Sequence, residues 1–329
     1  MKKKFQKIFL RTVLVILIIV GAVVAYVMLA LPNVGAPPSI SIQQTVERVE
    51  RGKYLANHVT LCMDCHSTRD WSRFSGPMLT GTEGKGGELF DQKFGFPGAF
   101  YSANITPSGI ADYTDGELFR VITTGVNKKG DALFPIMPYH NYGRMDAEDI
   151  NSIIAYIRTL SPIQNKVPAS SADFPMSILI HTIPAKAQLT KMPSSTDKVQ
   201  YGGYLVNAAS CMDCHTQFEK GELLLGTEFG GGRAFASPDG SIVRSSNITP
   251  HQKGIGSWSE DLFVSTFRSR SDSLTQSAVI KPGEFNTLMP WTMYGKMKEA
   301  DLRAIYAYLR TVKPLDNSVE KFTAAKKIK

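Results

Sequence analysis

The pentapeptide "CMDCH" occurs twice, at Cys62 to His66 and at Cys211 to His215, and the chain around each copy is repeated as well. "GKYLANHVTLCMDCH" answers "GGYLVNAASCMDCH", "LTGTEGKGG" answers "LLGTEFGGG", and "SANITPSGI" answers "SSNITPHQKGI". Further on, "YTDGELFRVI" answers "WSEDLFVSTF", and "IMPYHNYGRMDAEDINSIIAYIRTL" answers "LMPWTMYGKMKEADLRAIYAYLRTV". Matching segments in unchanged order are the mark of an internal repeat. Any fold for this chain must therefore build one unit twice.

Within each copy the last segment is the clearest helix. Asp146 can cap it, Asp149 supports its first turn, and Ile150, Ile153, Ile154, Ile157 and Leu160 recur at helical spacing. Leu302, Ile305, Leu309 and Val312 repeat the stripe. A second helix runs through "VERVERGKYLANHV" into the cysteines and a third through "DGELFRVITTG", with Gly- and Pro-rich loops between them and little strand alternation. The expectation is an all-α fold: two tandem domains, each of three or more helices around something its side chains alone would not fill.

Two cysteines three apart, with a histidine directly after the second, share one helical turn. Thiols so placed can meet the two vinyl groups of a haem while the imidazole points at the iron, and CxxCH is the attachment signature for that chemistry. This reading makes Cys62, Cys65, Cys211 and Cys214 the covalent seats of two haem c groups and His66 and His215 their proximal iron ligands. A zinc site is one alternative. It would pool both CxxC pairs, leave both histidines unused and bring together residues about 150 apart. A redox dithiol needs a βαβ setting, whereas these surroundings read as helical. A structural disulfide is the remaining alternative, for which a three-residue spacing on a helix is a poor frame.

A haem held by one histidine needs a sixth ligand or stays open for chemistry. The repeat offers Met137 and Met289, in "IMPY" and "LMPW", where the following proline stiffens the loop. His140 rivals Met137 but is replaced by Thr292 in the second copy. Met145 and Met297 precede the last helix of each copy, where an apolar residue packs against one four positions into the helix, here Ile150 and Leu302. Met63 and Met212 lie inside CxxCH, on the wrong side, and read as packing residues. His58 lies one turn before Cys62 on the same helix and cannot swing to the far haem face, while His181, in the linker, and His251, in a loop, read as surface or packing positions. Asn104 and Asn247 match a glycosylation acceptor in "NIT", yet their repeated place before a proline suggests loops lining the haem edge. "GTEGKGG" lacks the Walker spacing, and its glycines are expected to let backbone approach a porphyrin.

The stretch from Thr12 to Leu31 carries no charge and is long enough, as a helix, to cross a typical hydrocarbon core. A cleaved signal peptide is the alternative, but its apolar region is shorter, and the best cleavage site here would leave Pro37 directly after the cut. Lys2, Lys3, Lys4, Lys7 and Arg11 precede the run and hold the N-terminus in the cytoplasm. They also supply most of the formal charge of +8, leaving about +3 for everything beyond. No folded basic patch interleaved with aromatics remains, which excludes a nucleic-acid binder. The organisation expected is a cytoplasmic basic segment (1–11), a transmembrane anchor (12–31), a linker (32–45) and a first domain (46–160). An inter-domain linker (161–198), a second domain (199–315) and a basic tail ending in "KKIK" (316–329) follow.

With CxxCH, the downstream Met-Pro, the "NITP" loop and the terminal "AYIRTL" and "AYLRTV" helices in place, residues 46 to 315 resemble the class I c-type cytochromes. More closely, they look like the membrane-associated cytochrome c subunits of bacterial alcohol and gluconate dehydrogenases. Those subunits usually carry three haem domains, against two repeats here. The resemblance implies two tandem cytochrome c-like α-helical domains, His/Met ligation at the residues named, and electron transfer. It also implies haem attachment outside the bacterial cytoplasmic membrane, on the periplasmic face. The function expected is transfer of electrons from a dehydrogenase or quinol-oxidising donor to a soluble cytochrome c or terminal oxidase. The alternative is a dihaem redox enzyme of the peroxidase or thiosulfate dehydrogenase type, which needs an iron that can open or a cysteine ligand. An assembly subunit with incidental haems is a third reading.

Overall fold

The computed structural model describes residues 2–219, 221–237, 239–281 and 283–325. The end of the basic tail, from residue 326 on, lies outside the described residues. Helix α1 (Lys2–Ala30) stands almost wholly exposed, with none of its residues buried, as an apolar rod that length and composition would let cross a membrane. The first repeat then builds α2 (Val46–His58), α3 (Cys62–Cys65), β1 (Leu89–Phe90), β2 (Gly98–Tyr101), α4 (Pro107–Ile110), α5 (Asp115–Thr124), α6 (Tyr139–Tyr142) and α7 (Ala147–Ile157). Strand β3 (Ser171–Ala172) and helix α8 (Met176–Leu179) lie in the segment between the repeats. The second repeat contributes α9 (Lys198–Ala208), α10 (Cys211–His215), β4 (Phe218–Glu219), β5 (Glu222–Leu223), β6 (Ala234–Ala236), β7 (Ile242–Arg244), α11 (Glu260–Arg270), α12 (Ser273–Ser277), α13 (Trp291–Tyr294) and α14 (Glu299–Leu309). Strand β8 (Phe322–Thr323) ends the described chain.

Helix boundaries follow the capping chemistry of the sequence. Thr114 and Glu117 close a reciprocal capping box at the start of α5, and Gly125 ends that helix in the left-handed region at φ 73°. Asp146 caps α7 by accepting from the Glu148 N–H at 2.9 Å. Ile150, Ile153, Ile154 and Ile157 are all buried, as the sequence stripe requires, and each buried side chain of this size stabilises by about 1.5–3 kcal/mol.

Helix α2 packs against α7 in the first unit and α9 against α14 in the second. One glycine makes each crossing close. A Cβ at Gly52 would sit 1.8 Å from the Ser152 carbonyl oxygen, and one at Gly202 would sit 1.9 Å from that of Ala304. No side chain fits at either position, which is why the repeat keeps "GKY" and "GGY".

The expectation of an all-α molecule is overturned. The chain is 41% helical with 8% strand, a mixed α/β content, and its described strands form three small antiparallel sheets. β1 pairs β2, and β3 joins their edge from the segment beyond α7; β6 pairs β7, and β8 joins from the tail. β4 and β5 form a separate hairpin. These strands run two to four residues, too short for apolar alternation to stand out from a loop.

The two units meet reciprocally. Tyr54 of α2 donates to Asp301 Oδ2 of α14 at 2.5 Å and accepts from the Lys298 N–H at 3.0 Å. Tyr204, its counterpart in α9, donates to Asp149 Oδ2 of α7 at 2.6 Å and accepts from the Asp146 N–H at 3.1 Å. Each tyrosine thus completes the N-terminus of the other unit's last helix, the self-complementary pattern of a two-fold contact. Within the first unit, Arg51 of α2 holds the same Asp149 by a two-pronged ion pair, with both bonds at 2.8 Å.

Candidate functional site

Each CxxCH turn is entered through a strained residue. Leu61 (φ 57°) and Ser210 (φ 54°) both sit in the left-handed region, where residues other than glycine are uncommon. The chain then turns into α3 or α10, placing Cys62, Cys65 and His66 on one turn and Cys211, Cys214 and His215 on the other. All four cysteines are free thiols, so the disulfide alternative falls away. The Thr60 hydroxyl lies 3.3 Å from Cys62 Sγ. Burial pushes the Cys65 and Cys211 thiols up to about 12, which keeps them protonated rather than thiolate at neutral pH. Among the described residues no cluster of three or more His, Cys, Asp or Glu could hold a metal ion by itself, so the two CxxC pairs do not converge on a shared zinc site.

Both histidines are gripped in the same way. His66 Nδ1 lies 2.7 Å from the Ala103 carbonyl oxygen, and His215 Nδ1 lies 2.7 Å from that of Ser246. A carbonyl can only accept, so Nδ1 carries the proton and Nε2 keeps a free lone pair. Burial lowers both imidazoles from their ordinary value, against the raising effect of those carbonyl bonds, and keeps the rings neutral. A neutral ring oriented through its second nitrogen is how proteins present histidine to a metal.

The gripping carbonyls are immobilised by the "NIT" loops. Asn104 Oδ1 accepts from the Thr106 N–H at 3.0 Å and the Thr106 hydroxyl at 2.7 Å, while its amide donates to the Ile163 carbonyl at 2.8 Å. Asn247 repeats this with Thr249 at 2.9 and 2.8 Å and with the Leu315 carbonyl at 2.8 Å. Buried and committed amides of this kind are not glycosylation acceptors. The glycine-rich segment completes the grip. Gly86 donates its N–H to the His66 carbonyl at 2.8 Å, Gly231 does the same for His215 at 2.7 Å, and both have positive φ. A Cβ on Gly86 would stand 2.4 Å from the Ala103 carbonyl carbon, and one on Gly231 2.4 Å from that of Ser246. These glycines therefore permit close approach to the histidine-gripping loop, a role the sequence reading had given to the porphyrin.

Met137 and Met289 lie on the loops that enter α6 and α13, half-buried against the core and each followed by the proline that caps the helix. The far end of each short helix returns to its own CxxCH turn: Tyr142 donates to the Thr60 carbonyl, and Tyr294 to the Ala209 carbonyl at 2.6 Å. These two tyrosines connect the methionine loop to the cysteine turn. They were missed as site residues, although "YGRM" and "YGKM" displayed them.

Each methionine loop is also steadied by the other unit. The Ser75 hydroxyl donates to the Met289 carbonyl at 2.7 Å and accepts from the Trp291 N–H at 3.1 Å, and the Ser75 N–H donates to Asn286 Oδ1 at 2.8 Å. Asp213 of the second CMDCH accepts from the Asn141 amide at 2.8 Å, and His140 Nε2 lies 3.1 Å from the same oxygen. His140, the rival to Met137, is thus engaged with a carboxylate of the other motif. Met145, Met297 and Met63 are fully buried in the core, and Met212 packs at its margin, in keeping with packing roles. His58 is half-buried against the Tyr54 ring, His181 lies in the segment between the repeats, and His251 Nδ1 accepts from the Lys253 N–H.

The family model described as cytochrome c matches residues 199–313. The fructose dehydrogenase cytochrome subunit of Gluconobacter japonicus is 30% identical over 310 residues, covering 88% of this chain and 58% of the relative. The cytochrome c subunit of the quinone-dependent alcohol dehydrogenase of Gluconacetobacter polyoxogenes is 29% identical, covering 84% of this chain and 58% of the relative. The gluconate 2-dehydrogenase cytochrome c subunit of Pantoea cypripedii is 27% identical, with 84% and 62% covered. The chain thus spans less than two thirds of the length of these relatives. A cytochrome c domain implies covalently bound haem c, and the free thiols and the oriented, neutral histidine of residues 211–215 fit that group. Residues 199–313 thus match a cytochrome c domain, and the relatives to which the chain is similar are the cytochrome c subunits of bacterial fructose, alcohol and gluconate dehydrogenases.

Proposed function

We propose that the chain is a membrane-anchored dihaem c-type cytochrome that takes electrons from a dehydrogenase or quinol-linked donor and passes them to a soluble cytochrome or terminal oxidase. The observation that carries this reading is the duplicated grip: in both repeats a neutral histidine, directly following a pair of free cysteines on one turn, donates Nδ1–H to a locked carbonyl and keeps its Nε2 lone pair free. Cys62 with Cys65, and Cys211 with Cys214, would hold one haem c each, with His66 and His215 as proximal ligands and Met137 and Met289 as the sixth ligands. Bound haem would supply one-electron chemistry, and ligation by histidine with methionine would raise its potential.

The protein's own contribution is orientation. The Asn104 and Asn247 loops fix the imidazoles, and the carbonyl bond raises the basicity of the free nitrogen. Methionine in both repeats and the commitment of all four cysteines favour a carrier over a peroxidase or thiosulfate dehydrogenase. The haem units are read as residues 46–160 and 199–315, on the periplasmic face, with α1 spanning the membrane and its basic end in the cytoplasm. Relatives that serve as dehydrogenase subunits support a dehydrogenase as donor.

In lipid vesicles the full chain should be reduced by a quinol-linked dehydrogenase without oxygen and reoxidised by a soluble cytochrome c. Peroxide or thiosulfate turnover by the purified protein alone would contradict the carrier reading.

A further inference from the structure

We propose that the segment Phe174–Ile183 is a second membrane contact, lying in the lipid interface beside the outer end of α1. The inference rests on the reading of α1 as the membrane anchor. The segment runs through α8 into a 3-10 turn at Ile180–Thr182, and these two short elements pack directly on α1. Val24 and Val27 are the half-buried residues of the outer half of α1. They share one helical stripe with Leu31, and a contact at their level lies about 6–10 Å below Leu31 at 1.5 Å per residue. Interfacial segments bury their apolar face to that same depth.

The composition of the segment suits such a place. Phe174 is 82% exposed and Leu179 48% exposed, while Ile183 is also open. Apolar side chains this exposed, next to a helix that is itself apolar all round, continue one surface. The lipid already required by α1 is the occupant that covers both. The only acid of the segment's entrance, Asp173, is turned back to the first unit, where it accepts from the Gln92 amide at 2.8 Å. Lys186 stands exposed just beyond Ile183, positioned for anionic headgroups.

The segment is also fastened to the first unit rather than loosely tethered. β3 pairs β2 immediately before it, and the Asp173 N–H donates to the Pro97 carbonyl at 2.9 Å. A lipid contact at Phe174 and Leu179 therefore fixes how the first unit stands on the membrane, which a single helical tether would leave free to swivel.

The test uses the full chain in lipid nanodiscs, with a nitroxide spin label at Phe174→Cys or, separately, Leu179→Cys. Ile18→Cys in α1 and the exposed Ala300→Cys in α14 are the lipid and water controls, and the unsubstituted chain treated alike gives the background. The expected result is a loss of relaxation by a water-soluble nickel chelate, with oxygen relaxation retained, at 174 and 179 as at 18. Nickel relaxation at 174 and 179 equal to that at 300, with 18 still protected, overturns the inference and leaves the anchor intact. Nickel relaxation at 18 would instead overturn the anchor reading itself. Protection of 174 and 179 from both relaxants, or spin–spin broadening, would mean that protein covers the segment and would equally overturn the inference.

Discussion

Asn104 and Asn247 illustrate how single residues set this site. Each spends its whole side chain on fixing the loop whose carbonyl grips a histidine, with bonds to a threonine and to the chain that follows the last helix. Asn247→Ala leaves the buried Thr249 N–H and the Leu315 carbonyl short of a partner, and should cost about 1–3 kcal/mol in denaturant unfolding. On the proposed dihaem reading it should also shift the potential of the haem at His215 while sparing that at His66, because only one imidazole loses its fixed orientation. Tyr54 and Tyr204 carry a pH dependence. Burial, together with Asp301 for Tyr54 and Asp149 for Tyr204, raises both phenols well above their ordinary value. A phenol held neutral in the fold but free to ionise when unfolded stabilises fully below about pH 10, and that stability is lost as pH rises further. The variant carrying both Tyr54→Phe and Tyr204→Phe should lose roughly 3–6 kcal/mol at pH 7 and show a shallower decline of melting temperature above pH 10. An equally steep decline would exclude these two phenols as its source.

At the scale of elements, the helix pairs α2 with α7 and α9 with α14 depend on Gly52 and Gly202. Gly202→Ala places a methyl on the Ala304 backbone and should destabilise the second unit by more than the roughly 1–3 kcal/mol typical of overpacking, seen as a lowered unfolding midpoint. Much of this level was legible in sequence. The Asp146 cap and the isoleucine stripe announce the last helix, whereas the close crossings at Gly52 and Gly202 show only in the folded chain. The sheets were not legible, since the strands run only two to four residues and two of them, β3 and β8, come from beyond the last helix of their unit. The glycines of "GKGG" and "FGGG" were recognised as sites of close approach, but what they approach is a loop some fifteen residues downstream, which only the folded chain reveals.

For the molecule as a whole, the reciprocal contacts make the two units one body around two matched sites. Ser75 of the first unit holds the Met289 loop, while Asp213 of the second holds Asn141 and His140 beside the Met137 loop. The sequence displayed the two CxxCH turns and their histidines because those residues are contiguous. It showed Tyr142 and Tyr294 as repeated residues but not their role, and gave no sign of Ser75, because the partners of all three lie in other elements or the other unit. The proposed function requires each repeat to seat one covalent haem with His/Met ligation. The most direct measurement is covalent haem per polypeptide, by intact mass and alkaline pyridine spectra, on the full chain and on the variant carrying Cys211→Ser and Cys214→Ser. Two haems are expected in the full chain and one in the variant. One haem or none in the full chain, or two remaining in the variant, would contradict the proposed function.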